Sequence, residues 1–487
     1  MSSATSLGAR LGDVCVLGLG KTGFAVASYL AGLMPQRVSS LTLYGGASSG
    51  EGEPARSLAE RGVRVVLGSE DVRGRFDLAV ASPGIPERSA FFSAARACST
   101  EVIGEPEFAW RESPDRWVAI TGTNGKTTTT SLVTAMLRSA GTDAVSVGNI
   151  GRLCTDELVR RRDGAWFVAE LSSFQLATSR LLHPRCAALL NVTPDHLEWH
   201  GSLEGYAAAK ERIFQNLSGD DLAVVSQEDG YCRDVIGRLE ARGVRTLHVG
   251  VREEPVSGEA AFVRDGWLTV RLDGGERRVA PMANLPLRGE HNAQNMLAAS
   301  SMALFLGASV EAVRRALEGF HPIEHRIEPV GEFAGVRFVN DSKATNTDSV
   351  EKALTAFDRG RIVVLLGGHD KGTDLGSLAR AVNERCKAAV CFGAAGERIA
   401  RAVREAGGPT QVIRAPHLRE AFLAAVGAAR PGDVVLLSPA CSSFDEFHDM
   451  GERGRLFKGL VADLSANGGE VAHGGDQCDT GRSQRAA

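Results

Sequence analysis

The sequence predicts an α/β protein in three domains: a Rossmann-like N-terminal domain, a central P-loop mononucleotide-binding domain of the ATPase type, and a C-terminal Rossmann-like domain. Two observations carry the class and a third the number. Short apolar runs alternate with helix-period segments along most of the chain, as strands and crossover helices do in parallel sheets. Several runs end in glycine turns that open a helix, as at Gly18–Gly23 and Gly122–Gly125. With 487 residues the chain exceeds what one core organises. Domains are expected at 1–112, 113–322 and 323–464, followed by a disordered tail at 465–487 rich in Gly, Ser, His and Asp.

In the first domain, Val14 to Leu17 is a strand leading into Gly18-x-Gly20-x-x-Gly23, and Phe24 to Leu30 continues as a helix. Alone, this fingerprint suggests NAD. The next strand, Leu41 to Tyr44, runs into Gly45-Gly46 where a ribose-binding acid is expected, so a dehydrogenase loses its main support. Val63–Leu67 and Leu78–Ser82 read as further strands, the second ending in Ser82-Pro83-Gly84. Glu112-Ser113-Pro114-Asp115 punctuates the domain boundary.

The central domain opens with the strand Trp117–Ile120, the turn Gly122-Thr123-Asn124-Gly125-Lys126-Thr127, and helical spacing through Ser131–Leu137. Gly122 and Gly125 let backbone N–H groups approach phosphate, Lys126 adds a point charge, Thr127 offers a hydroxyl to Mg²⁺, and the helix N-terminus adds its dipole. A full Walker A loop would begin with glycine at Ile120, so this is a shortened variant. Val145–Val147 ends at Gly148-Asn149, and Trp166–Ala169 delivers Glu170, a strand-end acid that needs a partner or a cation. Ala187–Leu190 leads to Asn191 and then to Asp195 and His196. Gly205–Phe214 is a helix carrying Lys210, which by residue type alone reads as a solvated lysine. Strands follow at Leu222–Ser226, Arg245–Val249 and Leu268–Leu272, with a hairpin turn at Asp273-Gly274-Gly275; the last two strands are expected as an antiparallel appendage to the sheet. The amides of Gly289-Glu290-His291-Asn292 suit a purine or its ribose.

A new unit begins near Phe320–Arg326. Four strands are expected in it, at Val336–Asn340, Ile362–Leu366, Ala389–Phe392 and Val434–Leu437, with polar clusters at their carboxyl ends. Those clusters are Asp341-Ser342-Lys343-Ala344-Thr345, Gly367 to Lys371, and Ser438 to Asp445.

A net charge of −4 without a basic stripe excludes a general nucleic-acid binder. Nine cysteines without a Cys-x-x-Cys pair indicate neither a zinc knuckle nor a disulfide framework. With no leader pattern and no apolar run of membrane-spanning length, a cytoplasmic protein without membrane insertion is expected; a monomer is expected as well.

From Val14 to about Leu460, in order, these motifs resemble the Mur ligase family: Gly122 to Thr127, Glu170-Leu171-Ser172-Ser173, Asn191 to His196, Lys210, Gly289 to Asn292, His325-Arg326 and Asn340 to Thr345. Ser438 to Asp445 is similar to the branch of the family that adds D-glutamate. The resemblance implies ATP-dependent amide formation on a UDP-N-acetylmuramoyl-L-alanine substrate through an acyl phosphate, releasing ADP and phosphate, with domain closure keeping water out.

It also implies the site residues. Gly122, Thr123, Asn124, Gly125, Lys126, Thr127 and Thr128 hold the ATP phosphates, with Asn292, Arg326 and Asp341 around the nucleotide. Thr127, Glu170, His196 and Lys210, the last as a CO₂ carbamate, serve a pair of Mg²⁺ ions; Lys126, His196 and Lys210 are the catalytic set. Gly20, Lys21, Thr22, Ser82 and Gly84 take the uridine diphosphate part, and Asn149 lies near the muramoyl arm. Lys371, Thr345 and Ser443 grip the D-glutamate carboxylates, supported by Lys343 and the segment at Phe444. Two positions depart from the family pattern: Tyr44 stands where an acid would read uracil, and Met450 where an aromatic would line the amino-acid pocket. A Mur ligase of another branch, a folylpolyglutamate-type ligase, an NAD-dependent oxidoreductase and a non-catalytic nucleotide binder are the competing readings.

Overall fold

A computed structural model describes residues 10–150, 152–320, 324–369 and 372–466. The chain divides into two compact units, Met1–His321 and Pro322–Ala487. The first holds two sheets and the second holds one.

The first sheet comprises β1 (Gly12–Leu17), β2 (Val38–Tyr44), β3 (Arg64–Val66), β4 (Leu78–Ala81) and β5 (Val102–Gly104), all parallel in the order 3-2-1-4-5. Its switch point lies between β1 and β4, where an open α/β sheet takes its ligand. The glycine fingerprint sits at that point. Gly18 has φ +90°, and a Cβ on Gly23 would come within 1.8 Å of the Gly18 carbonyl oxygen, so the helix Lys21–Ala31 packs this close only on glycine.

The second sheet comprises β6 (Trp117–Thr121), β7 (Ala144–Gly148), β8 (Trp166–Glu170), β9 (Cys186–Leu189), β10 (Leu222–Ser226), β11 (Thr246–Gly250), β12 (Glu259–Arg264), β13 (Trp267–Leu272) and β14 (Gly275–Pro281). Their order is 14-13-12-11-10-9-6-8-7. β6 runs between β8 and β9, so the three strand ends that carry the glycine loop, Glu170 and Asn191 lie side by side. Of the two segments expected as an antiparallel appendage, 268–272 lies in one as β13, whereas 245–249 is β11, parallel to β10 and β12. β12 intervenes, parallel to β11 and antiparallel to β13, and the antiparallel appendage is β12-β13-β14. β12 escaped notice because charged residues bracket only four apolar ones, Ala260-Ala261-Phe262-Val263.

The helix Glu105–Glu112 joins the two sheets. Glu105 is buried, and its Oε1 accepts from the Thr155 N–H at 2.7 Å and the Thr155 hydroxyl at 2.9 Å. Burial pushes its carboxyl up to about 7. Glu107 accepts from the Arg180 backbone N–H and pairs with Arg111 at 2.5 Å.

The third sheet comprises β15 (Glu328–Phe333), β16 (Val336–Asn340), β17 (Ile362–Gly367), β18 (Cys386–Phe392), β19 (Gln411–Arg414) and β20 (Val434–Ala440), in the order 15-16-20-17-18-19. The four expected strands are its centre. The edges β15 and β19 are half-exposed and lack a continuous apolar run, which is why they were missed. The closing helix Met450–Ala466 extends two residues into the segment expected as a tail; 467–487 lie outside the described residues. No helix among the described residues is long and apolar enough to cross a membrane.

Candidate active site

The phosphate loop leaves β6 at the centre of the second sheet. Gly122 has φ +153° and Gly125 φ +85°, and Gly125 caps the helix Lys126–Ser139 without a side-chain hydrogen bond, leaving the first turn of N–H groups for an anion. A Cβ on Gly125 would lie 2.2 Å from Asn295 Oδ1. Asn191, at the end of β9, fixes the loop from the side: the Asn124 N–H donates to its Oδ1 at 2.8 Å, its Nδ2 donates to the Asn124 carbonyl at 3.1 Å, and the Thr123 N–H donates to its carbonyl at 2.9 Å. The sequence supplied Asn191 as part of a motif but not this role. Lys126 Nζ donates to the carbonyls of Gly122 at 2.9 Å and Thr123 at 2.8 Å, and Thr127 and Thr128 are buried in the first turn.

Beside the loop lies the set expected to handle metal. Glu170 is 2% exposed; its Oε1 accepts from Asn149 Nδ2 at 3.1 Å, while Oε2 is buried without a hydrogen-bond partner among the described residues. A buried carboxylate oxygen left in that state calls for a cation. Asn149, expected near the muramoyl arm, thus sits on Glu170, and its own N–H donates to the Glu170 carbonyl at 2.8 Å.

Lys210 is 1% exposed rather than solvated: Nζ donates to the Gly122 carbonyl at 2.8 Å and lies 4.4 Å from the Tyr206 ring centroid. Burial, reinforced by the charge of Lys126, holds the amine well below the ordinary lysine range. Tyr206 OH donates to Thr123 Oγ1 at 3.2 Å, tying the lysine helix to the loop. His196 has φ +52°, packs edge-on against Phe174 at 4.7 Å, and lies 3.6 Å from Asp195 Oδ2. Nearby His200 bonds Ser173 at 2.8 Å, and burial with the charge of Lys210 pushes it down to about 4. Among the described residues no three His, Cys, Asp or Glu side chains converge as a ready-made metal cluster.

Asn292 opens the helix Glu290–Phe305, with Nδ2 donating to the Arg288 carbonyl at 2.8 Å. In the first sheet, Gly20 caps its helix with open space around its Cα; Lys21 and Thr22 follow in the first turn. Ser82 Oγ is buried without a partner among the described residues, and Gly84 also faces open space. Tyr44 is 2% exposed, its OH donating to the Arg73 carbonyl at 2.9 Å and accepting from the Arg73 N–H at 3.1 Å, so it is a core residue.

In the second unit, Asp341 follows β16 at 4% exposure, accepting from the Ser438 hydroxyl at 2.8 Å and the Ile327 N–H at 3.2 Å. Burial pushes it up to about 6 against the charge of Arg326. Arg326 Nε is buried without a partner among the described residues. Lys343 and Thr345 occupy the turn after β16, while Ser443, buried, and Phe444, 70% exposed, occupy the turn after β20. Lys371 lies outside the described residues.

Known proteins resemble the chain along these motifs. The family model of the Mur ligase middle domain matches residues 120–303, and that of the Mur ligase glutamate ligase domain matches residues 325–441. The UDP-N-acetylmuramoylalanine–D-glutamate ligase of Acidobacterium capsulatum is 41% identical over 92% of this chain and 95% of the relative. That of Geobacter metallireducens is 40% identical over 92% and 97%. UDP-N-acetylmuramate-alanine ligase from Thermotoga maritima shares the fold at a TM-score of 0.55 and 20% identity, covering 92% of this chain and 99% of that one.

Proposed function

This chain belongs to the Mur ligase family, and from that premise we propose how its residues divide the work. The chain is an ATP-dependent ligase that adds D-glutamate to UDP-N-acetylmuramoyl-L-alanine in peptidoglycan precursor synthesis, using ATP and Mg²⁺. A carboxylate and an amine do not condense unaided at neutral pH. The terminal alanine carboxylate attacks the γ-phosphorus, the bond to ADP breaks, and an acyl phosphate forms; the D-glutamate amine attacks its carbonyl, loses a proton, and phosphate leaves as the amide forms.

The γ-phosphate lies on the N–H groups from Gly122 to Thr128, with Lys126 turned from the Gly122 and Thr123 carbonyls onto it. Asn292, Arg326 and Asp341 hold the remainder of the nucleotide. Mg²⁺, when bound, neutralises the phosphate charge that builds during transfer, and Thr127, Glu170, His196 and carbamylated Lys210 are the groups to hold two such ions. The supporting observation is the orphaned Glu170 Oε2 in a site that also buries an amine held below its usual pKa. An unprotonated amine is the form that reacts with CO₂, and the carbamate adds the second anion that the donor set lacks. Gly20, Lys21, Thr22, Ser82 and Gly84 take the uridine diphosphate, with Ser82 Oγ, which has no partner among the described residues, placed to bond it. Lys343, Thr345, Lys371, Ser443 and Phe444 take D-glutamate. We further propose that the enzyme is a cytoplasmic monomer, which light scattering of the pure protein checks for its oligomeric half.

The test is ¹³C NMR of the protein in ¹³C-bicarbonate. A carbamate resonance is expected in the wild type and absent from Lys210→Arg, with turnover lost in the variant. No resonance in an active wild type would refute the carbamate, and unchanged turnover in Glu170→Gln would refute the metal assignment.

A further inference from the structure

The C-terminal unit buries a guanidinium that the reaction as described leaves unused. Arg453, in the helix Met450–Ala466, is 0% exposed. Nε donates to Ser342 Oγ at 3.0 Å, Nη2 to the Ser342 carbonyl at 2.9 Å, and Nη1 to the carbonyls of Cys441 at 3.1 Å and Ser442 at 3.2 Å. None of its hydrogen bonds among the described residues goes to a carboxylate. Burial lowers its pKa only to about 10, so the charge persists at neutral pH. A buried cation whose hydrogen bonds go to carbonyl and hydroxyl oxygens is expensive even with the charges of Asp445 and Glu446 offsetting part of the burial, and a helix that merely covered the sheet would do better with an apolar residue.

What the guanidinium joins explains its presence. Its acceptors belong to two turns, one after β16 that continues to Lys343 and Thr345, and one after β20 that continues to Ser443 and Phe444. A third turn, after β17, rests on the same point. Gly368 has φ +127°, and a Cβ there would lie 2.2 Å from the Ser442 carbonyl oxygen and 3.0 Å from Arg453 Nη1. The His369 N–H donates to that same Ser442 carbonyl at 2.9 Å, and in sequence this turn leads to Lys371. Ser342 Oγ donates onward to the Met450 carbonyl at 2.7 Å, which closes the arrangement back on the helix. One planar fork therefore sets the ends of three neighbouring strands, a task that a lysine's single ammonium does not perform.

We propose that Arg453 is a positioning and specificity residue for the amino-acid site: it holds the three turns as one unit and places a permanent positive charge behind them, favouring an amino acid with two carboxylates. The inference rests on the reading that these turns bind D-glutamate. Arg453 touches backbone and a hydroxyl and does not itself grip the substrate.

The experiment is steady-state kinetics of Arg453→Met, Arg453→Lys and Ser342→Ala with each substrate varied in turn, alongside D-glutamine as the singly charged competitor. In Arg453→Met the KM for D-glutamate should rise roughly ten- to a hundredfold, as expected from losing several charge-assisted bonds. The KM values for ATP and the UDP substrate should stay within about twofold, and the preference for D-glutamate over D-glutamine should narrow. Arg453→Lys should recover that preference in part while keeping a raised KM. Ser342→Ala, which removes one contact and leaves the charge, serves if the arginine variants fail to fold, and should raise the D-glutamate KM a few-fold with the preference intact. Folded variants with an unchanged D-glutamate KM, or with all three KM values raised alike, would overturn the proposal. A wild type that fails to use D-glutamate would instead overturn the reading on which it rests.

Discussion

Replacing Asp341 by Asn should make the C-terminal unit more stable at neutral pH while impairing the enzyme. The carboxyl is 4% exposed and burial raises it from 3.8 to about 6. A folded-state pKa above the unfolded one means that the native state binds the proton more tightly. That contribution is complete below about pH 4 and is lost as pH rises to 6 and beyond. At pH 7.5 ionised Asp341 therefore costs about 3 kcal/mol relative to the unfolded chain, from a shift of roughly two units at 1.36 kcal/mol each. An asparagine keeps the geometry: its Oδ1 still accepts from the Ile327 N–H, and its Nδ2 faces a Ser438 hydroxyl able to accept. Arg326 loses its counter-charge, which returns part of the gain, leaving about 1–2 kcal/mol. For a domain of this size that is about 2–8 °C in Tm. The assay is urea denaturation with parallel melting at pH 4.5 and pH 7.5. The variant should be the more stable at pH 7.5, and its advantage should shrink by more than half at pH 4.5. A variant less stable at pH 7.5, or an advantage independent of pH, would refute the idea that this carboxylate is held ionised at a cost for nucleotide binding.

Three other changes have defined outcomes. Gly125→Ala adds about 1 kcal/mol of backbone strain at φ +85° and drives a methyl against Asn295 Oδ1, so the ATP KM should rise about tenfold or more with that for D-glutamate unmoved; equal effects on both would contradict the loop's role. Glu105, raised to about 7 by burial, contributes stability that is present below about pH 4.5 and lost as pH climbs through 7; Glu105→Gln should flatten the stability of the first unit between pH 5 and 8, and an unchanged pH slope in urea titrations would count against it. Gly454→Ala would place a Cβ 2.3 Å from His325 Nδ1, so calorimetry should show a loss of about 1–3 kcal/mol, and an unaltered melt would contradict the packing.

Where function forces a residue type at a strand end, the sequence was legible. The Gly122–Thr127 loop, Glu170 and the Asn191–His196 segment were read from residue type and spacing, and the sheet order 8-6-9 brings them together. Long-range pairing was not legible. Nothing in the spacing of Lys210 distinguishes a buried amine against Gly122, 88 residues away, from a solvated helix lysine; only the family resemblance marked it. Arg453 looks like any helix arginine until its acceptors at Ser342 and Cys441 are seen. Glu105 was silent for the same reason, since Thr155 is 50 residues distant. Edge strands β15 and β19 lacked the buried periodicity that betrays a central strand.

The most direct test of the account is phosphate release from ATP and Mg²⁺ in the presence of UDP-N-acetylmuramoyl-L-alanine, compared with D-glutamate, with L-glutamate and with no amino acid, and with products weighed by mass spectrometry. The account predicts release that depends on D-glutamate and matches formation of the amide one for one. Turnover with L-glutamate alone, or release without any amide product, would contradict it.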